Sequence, residues 1–164
     1  MKMGLVTRTG TIALLVSLAT LGAKAQFSVP TVEPSSAFSI PQAQVIQPEA
    51  LNQILQKGGS AKPLVLQVGS HVLFAQAHIP GSEYAGAGSQ PEGLQALQQR
   101  VTSLSRKSPI VLYCGCCPWN RCPNVGPAFA KLKEMGFTNV KVLYLADNFG
   151  TDWAGKGYPV EKGR

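Results

Sequence analysis

All four cysteines of this 164-residue chain lie within nine residues, at positions 114, 116, 117 and 122. Cysteine acts as a nucleophile or a metal ligand only as the thiolate, so this cluster predicts a chemical site. The cluster follows an apolar segment, Ile110 to Tyr113, and precedes a helical pattern that begins near Pro123. Free backbone amides and the positive end of a helix dipole stabilise a thiolate at such a position. Cys114, the first residue after the apolar segment, is the predicted nucleophile.

The other three cysteines, Cys116, Cys117 and Cys122, have three interpretations. In the first interpretation they are resolving thiols, which attack a persulfide or sulfenic acid on Cys114 to give a disulfide. Alternatively, Cys117 and Cys122 form a small disulfide that shapes the loop. In the third interpretation all four thiolates bind a soft metal ion, Cu(I) or zinc. The spacing C-x-C-C-x4-C lacks two separated pairs, however, and adjacent cysteines seldom both bind one ion. The leading interpretation therefore needs no cofactor and no metal.

The N-terminal residues have the pattern of a cleaved secretory signal peptide. Lys2 and Arg8 precede an apolar run of eleven residues, and Ala23-Lys24-Ala25 is a small-residue cleavage signature. Eleven apolar residues are too few to cross a hydrocarbon layer of about 30 Å as a helix. We therefore predict cleavage after Ala25 and a periplasmic or secreted mature chain with no membrane contact.

Composition limits the classes of partner for residues 26–164. Without Lys2, Arg8 and Lys24 the chain has 12 basic and 8 acidic residues, a formal charge of +4, with no basic run. Nucleic acid is therefore not an expected partner, and small anionic substrates are slightly favoured. Residues 26–44 contain three prolines and no apolar period, which predicts a flexible leader. Residues 45–164 are long enough for one domain with its own core.

Apolar segments of strand length alternate with amphipathic helical patterns along this domain. Near-continuous apolar runs predict buried strands at 45–46, 63–68, 110–113 and 140–145. Proline starts and apolar spacing predict helices that begin near 48, 72, 91 and 123. Residues 83–90 are predicted to wrap the surface, and a loop is predicted to start at Asn148. The alternation predicts an α/β fold, a parallel sheet with helices on both faces.

Four segments, in this order, resemble the rhodanese-like domain family, the single-domain sulfurtransferase fold. They are 78–82 (HIPGS), 110–114 (IVLYC), 132–140 (LKEMGFTNV) and 157–160 (GYPV). The resemblance covers about residues 46 to 163. It implies a three-layer domain in which a central strand delivers the active cysteine, here Cys114.

The resemblance also implies an activity. Cys114 would take a sulfane sulfur from a donor such as thiosulfate, and the persulfide would pass it to cyanide or a thiol. Arg121 would bind the anionic donor, with Gly115, Trp119 and Asn120 completing the substrate site. The implied partners are a small anionic sulfur donor and a thiol acceptor, which a periplasmic redox protein would supply.

The chain departs from the family pattern in two places. Gln67-Val68-Gly69 stands where the family usually has Asp-Val-Arg. Arg121 lies seven residues after Cys114, whereas the family's CxxxxR loop places it five residues after the active cysteine; counted from Cys116 the spacing is five. Cys116 is therefore the second choice of nucleophile. The competing hypothesis is a thiol-redox or soft-metal binding module that keeps this fold without turnover.

Overall fold

The computed structural model describes residues 40–59 and 62–163. The predicted signal peptide, residues 1–25, and residues 26–39 of the predicted leader lie outside this part of the chain. At the end of the leader, Gln42–Gln44 form a short 3-10 turn and Ile40 packs against the core. No helix within the described segments is long and apolar enough to cross a membrane.

Within the described residues, strands and helices alternate as the sequence predicts. The strands are β1 Val45–Ile46, β2 Leu64–Gln67, β3 Glu83–Tyr84, β4 Ile110–Tyr113 and β5 Val140–Leu143. The helices are α1 Pro48–Lys57, α2 His71–Gln76, α3 Pro91–Val101, α4 Val125–Glu134 and α5 Phe149–Asp152. The strands form one parallel sheet in the order β1-β5-β4-β2-β3. The predicted α/β class with a parallel sheet is confirmed.

The central strand β4 divides the core into two layers, because alternate side chains of a strand point to opposite faces. Ile110, Leu112 and, just beyond the strand, Cys114 pack with α3 and α4. Val111 and Tyr113 pack on the other face with α1 and α5. The sheet is thus covered by helices on both sides, and Cys114 continues the face that α4 covers.

The prediction that residues 83–90 wrap the surface is wrong. Glu83 and Tyr84 form the edge strand β3, which pairs in parallel with β2. The buried residues that follow hold the chain against the sheet, since Ala85 N–H donates to Gln67 O and Gly88 N–H donates to Val68 O, both at 2.9 Å. A two-residue strand next to a Gly- and Ala-rich segment has too few apolar positions for periodicity to indicate it.

The predicted loop at Asn148 is also wrong, because α5 begins there. The side-chain oxygen of Asn148 accepts the Thr151 N–H at 2.9 Å and caps the helix. The Asp152 carboxylate accepts the Asp147 and Asn148 N–H groups at 2.7 and 3.1 Å. Trp153, at the end of this turn, is buried in the core. A helix of four residues is too short to give a helical period.

Candidate active site

The site lies at the carboxyl end of the sheet, where β4 ends and the chain turns into the cysteine loop. A cleft of about 320 Å³ opens there between the ends of β2 and β4, helix α2 and the start of α5. Cys114, Gly115 and Cys116 line this cleft. Among the described residues that line it, the polar side chains are amides, hydroxyl and thiol groups, and none carries a formal charge.

The sulfur atoms of the loop are gathered in one cluster. Cys114 Sγ lies 2.9 Å from Cys116 Sγ, and Cys116 Sγ lies 3.1 Å from Cys117 Sγ. The three Sγ atoms all lie within 4.8 Å of one another. Cys122 contacts Cys114 and Cys117 but is not part of this mutually close set. All four are free thiols in this structure, and a disulfide between Cys117 and Cys122 stays a prediction.

Gly115 makes the close approach of Cys114 and Cys116 possible. Its φ of 80° lies in the left-handed region that favours glycine. A Cβ there would lie 2.9 Å from Phe149 Cβ, and the Gly115 carbonyl accepts the Phe149 N–H at 3.0 Å. The loop therefore turns sharply against the start of α5, so that the sulfur atoms on either side of Gly115 meet.

The departure from Asp-Val-Arg lies directly against the predicted nucleophile. Gln67 is 2% exposed; its Nε2 donates to the Cys114 carbonyl at 2.8 Å and its Oε1 accepts the Gly69 N–H at 3.1 Å. A Cβ on Gly69 would lie 2.7 Å from Cys114 Sγ and 2.8 Å from Cys114 O. Residue 69 must therefore be glycine if Cys114 is to keep this position.

Asn124 is a site residue that the sequence reasoning missed. It is 6% exposed, and its Nδ2 donates to Cys114 Sγ at 3.3 Å, with Cys116 Sγ at 3.9 Å. Its Oδ1 accepts the Ser89 N–H at 3.0 Å, which fixes which end of the amide faces the sulfur. The only signal in the sequence was its position immediately before the helical pattern of α4.

The electrostatics of the cluster favour a thiolate at Cys122. The pKa of Cys122 is lowered to about 6, first by a hydrogen bond from the Cys114 thiol and then by the Val125 and Asn124 N–H groups at the start of α4, although burial opposes this. The pKa of Cys114 is raised by its hydrogen bond to Cys122 and by burial. Burial, and then contact with Cys116, raises the pKa of Cys117 to about 12. The amides of the helix start therefore reach Cys122 rather than Cys114.

The predicted substrate-binding residues do not all lie at the cleft. Gly115 lines it, whereas Asn120 and Arg121 are exposed on the 3-10 turn Trp119–Arg121 and are not among its lining residues. Trp119 is half-buried, with its ring centroid 5.1 Å from that of Tyr144. It borders a small cavity of about 10 Å³ behind the loop, together with Cys117 and Cys122.

Comparison with known proteins identifies the family. Residues 47–145 match the rhodanese-like domain, so the chain belongs to the rhodanese-like domain family. A search of curated proteins finds no match to the chain.

Solved structures of low sequence identity share the fold. The BH2092 protein from Bacillus halodurans is 23% identical, with a TM-score of 0.56 over 71% of this chain and 75% of that one. The rhodanese-like domain of the Alr3790 protein from Anabaena is 21% identical, with a TM-score of 0.53 over 73% and 79% of the two chains. EanB, solved with a cysteine persulfide and ergothioneine, is 23% identical, with a TM-score of 0.53 over 71% of this chain but only 27% of EanB.

Proposed function

We propose that this protein is a sulfurtransferase that moves a sulfane sulfur through a persulfide on Cys114. The observation that carries the proposal is the position of Cys114, at the carboxyl end of the central strand β4 and on the wall of the cleft. EanB, which shares the fold, has been solved with a cysteine persulfide. Cys114 is the residue of this chain that continues the central strand of the shared fold.

The proposed reaction has two balanced steps. In the first, Cys114 gives its proton to the Cys122 thiolate, to which it is hydrogen-bonded, and its sulfur attacks the outer sulfur of thiosulfate. A new S–S bond forms, the S–S bond of the donor breaks, and sulfite leaves with the bonding electron pair. In the second, an acceptor thiolate attacks the outer sulfur of the persulfide, takes it as a new persulfide and releases the Cys114 thiolate. Cyanide would take the same sulfur as thiocyanate.

Two neighbours of Cys114 support these steps. The Nδ2 of Asn124 donates to the attacking sulfur, and a hydrogen bond to an ionised sulfur is stronger than one to a thiol. Gln67 holds the Cys114 carbonyl and so fixes the backbone from which the sulfur projects. The described residues that line the cleft offer amide groups but no cation to an anionic donor, so we expect the hydropolysulfide monoanion to load Cys114 faster than the thiosulfate dianion.

Contact between Cys114 and Cys116 favours a second candidate, a thiol exchanger. With their sulfur atoms 2.9 Å apart, the Cys116 thiolate can attack the inner sulfur of a Cys114 persulfide. A Cys114–Cys116 disulfide forms and hydrosulfide leaves, so no external oxidant is needed. Mass distinguishes the two products. Relative to the reduced chain, the disulfide form is lighter by two hydrogens, whereas the persulfide form is heavier by one sulfur.

Intact mass measurement after sulfur loading tests both candidates. Reduced, metal-free protein is mixed with thiosulfate or with inorganic polysulfide, and wild type is compared with Cys114→Ser and Cys116→Ser. We expect wild type and Cys116→Ser to gain one sulfur and Cys114→Ser to gain none. Gain by Cys114→Ser but not by Cys116→Ser would make Cys116 the nucleophile. Absence of both sulfur gain and disulfide formation in every form with both donors would refute the proposal.

Export is a further part of the proposal, and it rests on the signal-peptide pattern of residues 1–25. The chain would then act outside the cytoplasm, with a small anionic sulfur donor and a thiol acceptor as its partners. Cell fractionation followed by N-terminal sequencing tests this. We expect a mature protein that begins at Gln26; an uncleaved N-terminus in the cytosolic fraction would contradict export.

A further inference from the structure

The cluster contains more sulfur than sulfur transfer uses, because one nucleophilic cysteine is enough for that reaction. Cys114, Cys116 and Cys117 form a mutually close set within 4.8 Å, with two of the S···S distances at 2.9 and 3.1 Å. Thiolates that share one metal ion at M–S distances of about 2.3 Å lie about 3.8–4.0 Å apart. The two short distances lie below that value and the third pair lies within 4.8 Å, so small side-chain rotations that move the sulfurs apart would bring all three around one ion.

The donor atoms of this set define the class of metal. Within residues 40–59 and 62–163, no histidine, aspartate or glutamate joins the three cysteines. Sites made only of thiolate sulfur select soft ions such as Cu(I), whereas Mg²⁺, Ca²⁺ and Mn²⁺ require oxygen ligands. Structural zinc is normally bound by four ligands in a tetrahedron. A mutually close set of three sulfurs therefore fits Cu(I) better than zinc.

The backbone removes the objection that adjacent cysteines seldom bind the same ion. The left-handed turn at Gly115 brings Cys114 Sγ to Cys116 Sγ, and the Cys117 side chain lies with its sulfur beside that of Cys116. Cys122 Sγ lies outside this mutually close set, although Cys122 contacts Cys114 and Cys117.

We propose that Cys114, Cys116 and Cys117 bind one Cu(I) ion, and that Cys122 stays outside its coordination sphere. Asn124 orients the site from outside, since its Nδ2 donates to Cys114 Sγ while the Ser89 N–H holds its Oδ1. The site shares Cys114 with the proposed sulfur transfer but does not depend on that activity. Bound copper would occupy the nucleophile and block sulfur uptake.

Competition for Cu(I) tests the site. The full-length, reduced, metal-free protein is titrated anaerobically with Cu(I) in the presence of bicinchoninate, a coloured Cu(I) chelator. We expect one Cu(I) per chain. Cys117→Ser should weaken binding by at least about 100-fold, because loss of an outer partner alone costs about 10- to 100-fold. Cys122→Ser should weaken binding by about 10-fold at most, since by this assignment it removes a hydrogen-bond partner of Cys114 and no bond to the ion.

Met135→Leu is the matched control, because Met135 carries a soft sulfur at the opposite end of α4 from the cluster. We expect it to bind Cu(I) like wild type. Circular dichroism checks that each variant is folded. X-ray absorption at the copper edge should show three sulfur neighbours.

Several results would overturn the assignment. If wild type binds Cu(I) no better than Cys117→Ser, the set is not a copper site. If Cys122→Ser loses as much affinity as Cys117→Ser, Cys122 is also a ligand and the three-sulfur assignment is wrong. If an equal amount of zinc displaces Cu(I), the set is a zinc site instead. Sulfur uptake is measured separately on metal-free protein, so either proposal can fail while the other stands.

Discussion

Residue 69 decides where the sulfur of Cys114 can lie. The carbonyl and the sulfur of Cys114 both occupy the space that a side chain on Gly69 would need. Gln67, which lies two residues before Gly69, donates a hydrogen bond to the carbonyl of the same cysteine. The residues at the end of β2 thus fit the position of Cys114 at the end of β4. Gln67 and Gly69, which stand where the family usually has Asp and Arg, are therefore structurally coupled to the cysteine loop.

Gly69→Ala tests this fit. The added methyl group would lie 2.7 Å from Cys114 Sγ, so the loop must shift. Overpacking of this kind lowers the free energy of unfolding by about 1–3 kcal/mol. We expect that loss in urea unfolding, together with slower sulfur uptake by Cys114. Gly136→Ala is the control for backbone strain alone: with φ at 84° and open space around the added Cβ, it should lose about 1–2 kcal/mol of stability but take up sulfur at the wild-type rate. Wild-type sulfur uptake and stability in Gly69→Ala would contradict this prediction, because the loop would then accommodate the added methyl group without cost.

Asn124→Ala removes the hydrogen bond to the reacting sulfur. A hydrogen bond to a charged group contributes about 1.5–3 kcal/mol, so loss of this one should slow sulfur loading about 10- to 100-fold. Quenched-flow kinetics with mass detection measures the rate of sulfur loading. Asn52→Ala, a change on helix α1 away from the cluster, should load at the wild-type rate. A rate equal to wild type in Asn124→Ala would mean that Asn124 only holds the Ser89 N–H.

At the scale of elements, α3 ties down the edge strand β3. Arg100 donates two hydrogen bonds to the Glu83 carboxylate, one of them at 2.8 Å from Nη2. This hydrogen bond, followed by the charge of Arg100, lowers the pKa of Glu83 despite its partial burial. The edge strand is short, and within the part of the chain that the structure describes, no strand pairs with its second hydrogen-bonding side. The ion pair therefore attaches the exposed edge of the sheet to α3.

Glu83→Gln tests this attachment through pH. Because the pKa of Glu83 is lower in the folded state, the ion pair stabilises the fold above the unfolded pKa, near 4.3, and that contribution is lost as pH falls through the folded value. Both side chains are more than a third exposed, which limits the effect to about 0.5–1 kcal/mol. Urea unfolding should show this difference from wild type at neutral pH and little difference near pH 2. An equal difference at both values would contradict the ion pair as its cause.

The start of α5 is a second element that shapes the site. Asn148 caps this short helix, and Phe149 packs its backbone against Gly115. Asn148→Ala should lower the free energy of unfolding by about 0.5–2 kcal/mol, since the cap is lost. Because the same turn lines the cleft, it should also slow sulfur loading. Asn148→Asp keeps an oxygen that accepts the Thr151 N–H, so it should retain wild-type stability in the same urea titration.

For the whole molecule, the sequence predicts the layers better than it predicts the site. The long apolar runs identify the three central strands, and the unbroken apolar run Ile110 to Tyr113 indicates a strand that is covered on both faces. Gln67 lies 47 residues before Cys114, with Gly69 next to it, and Asn124 lies ten residues after Cys114 across an irregular loop. No helical or strand period therefore reports their contacts with Cys114. The N–H groups at the start of α4 act on Cys122 rather than on Cys114, because extra residues in the cysteine loop separate Cys114 from the helix. The spacing of the cysteines in the sequence does not show which of them the helix start reaches.

The closeness of the cysteines in the chain also limits how much copper can stabilise the fold. A ligand that binds only the native state at about 100 times its dissociation constant raises the free energy of unfolding by about 2.7 kcal/mol. Here the proposed ligands lie within four residues, 114 to 117, so the unfolded chain keeps them near one another and also binds the ion. We therefore expect one equivalent of Cu(I) to raise the unfolding midpoint temperature in calorimetry, but by less than the shift calculated from its affinity for the native state alone. Cys117→Ser should show no rise; a full-sized shift in wild type would mean that copper binds only the folded loop.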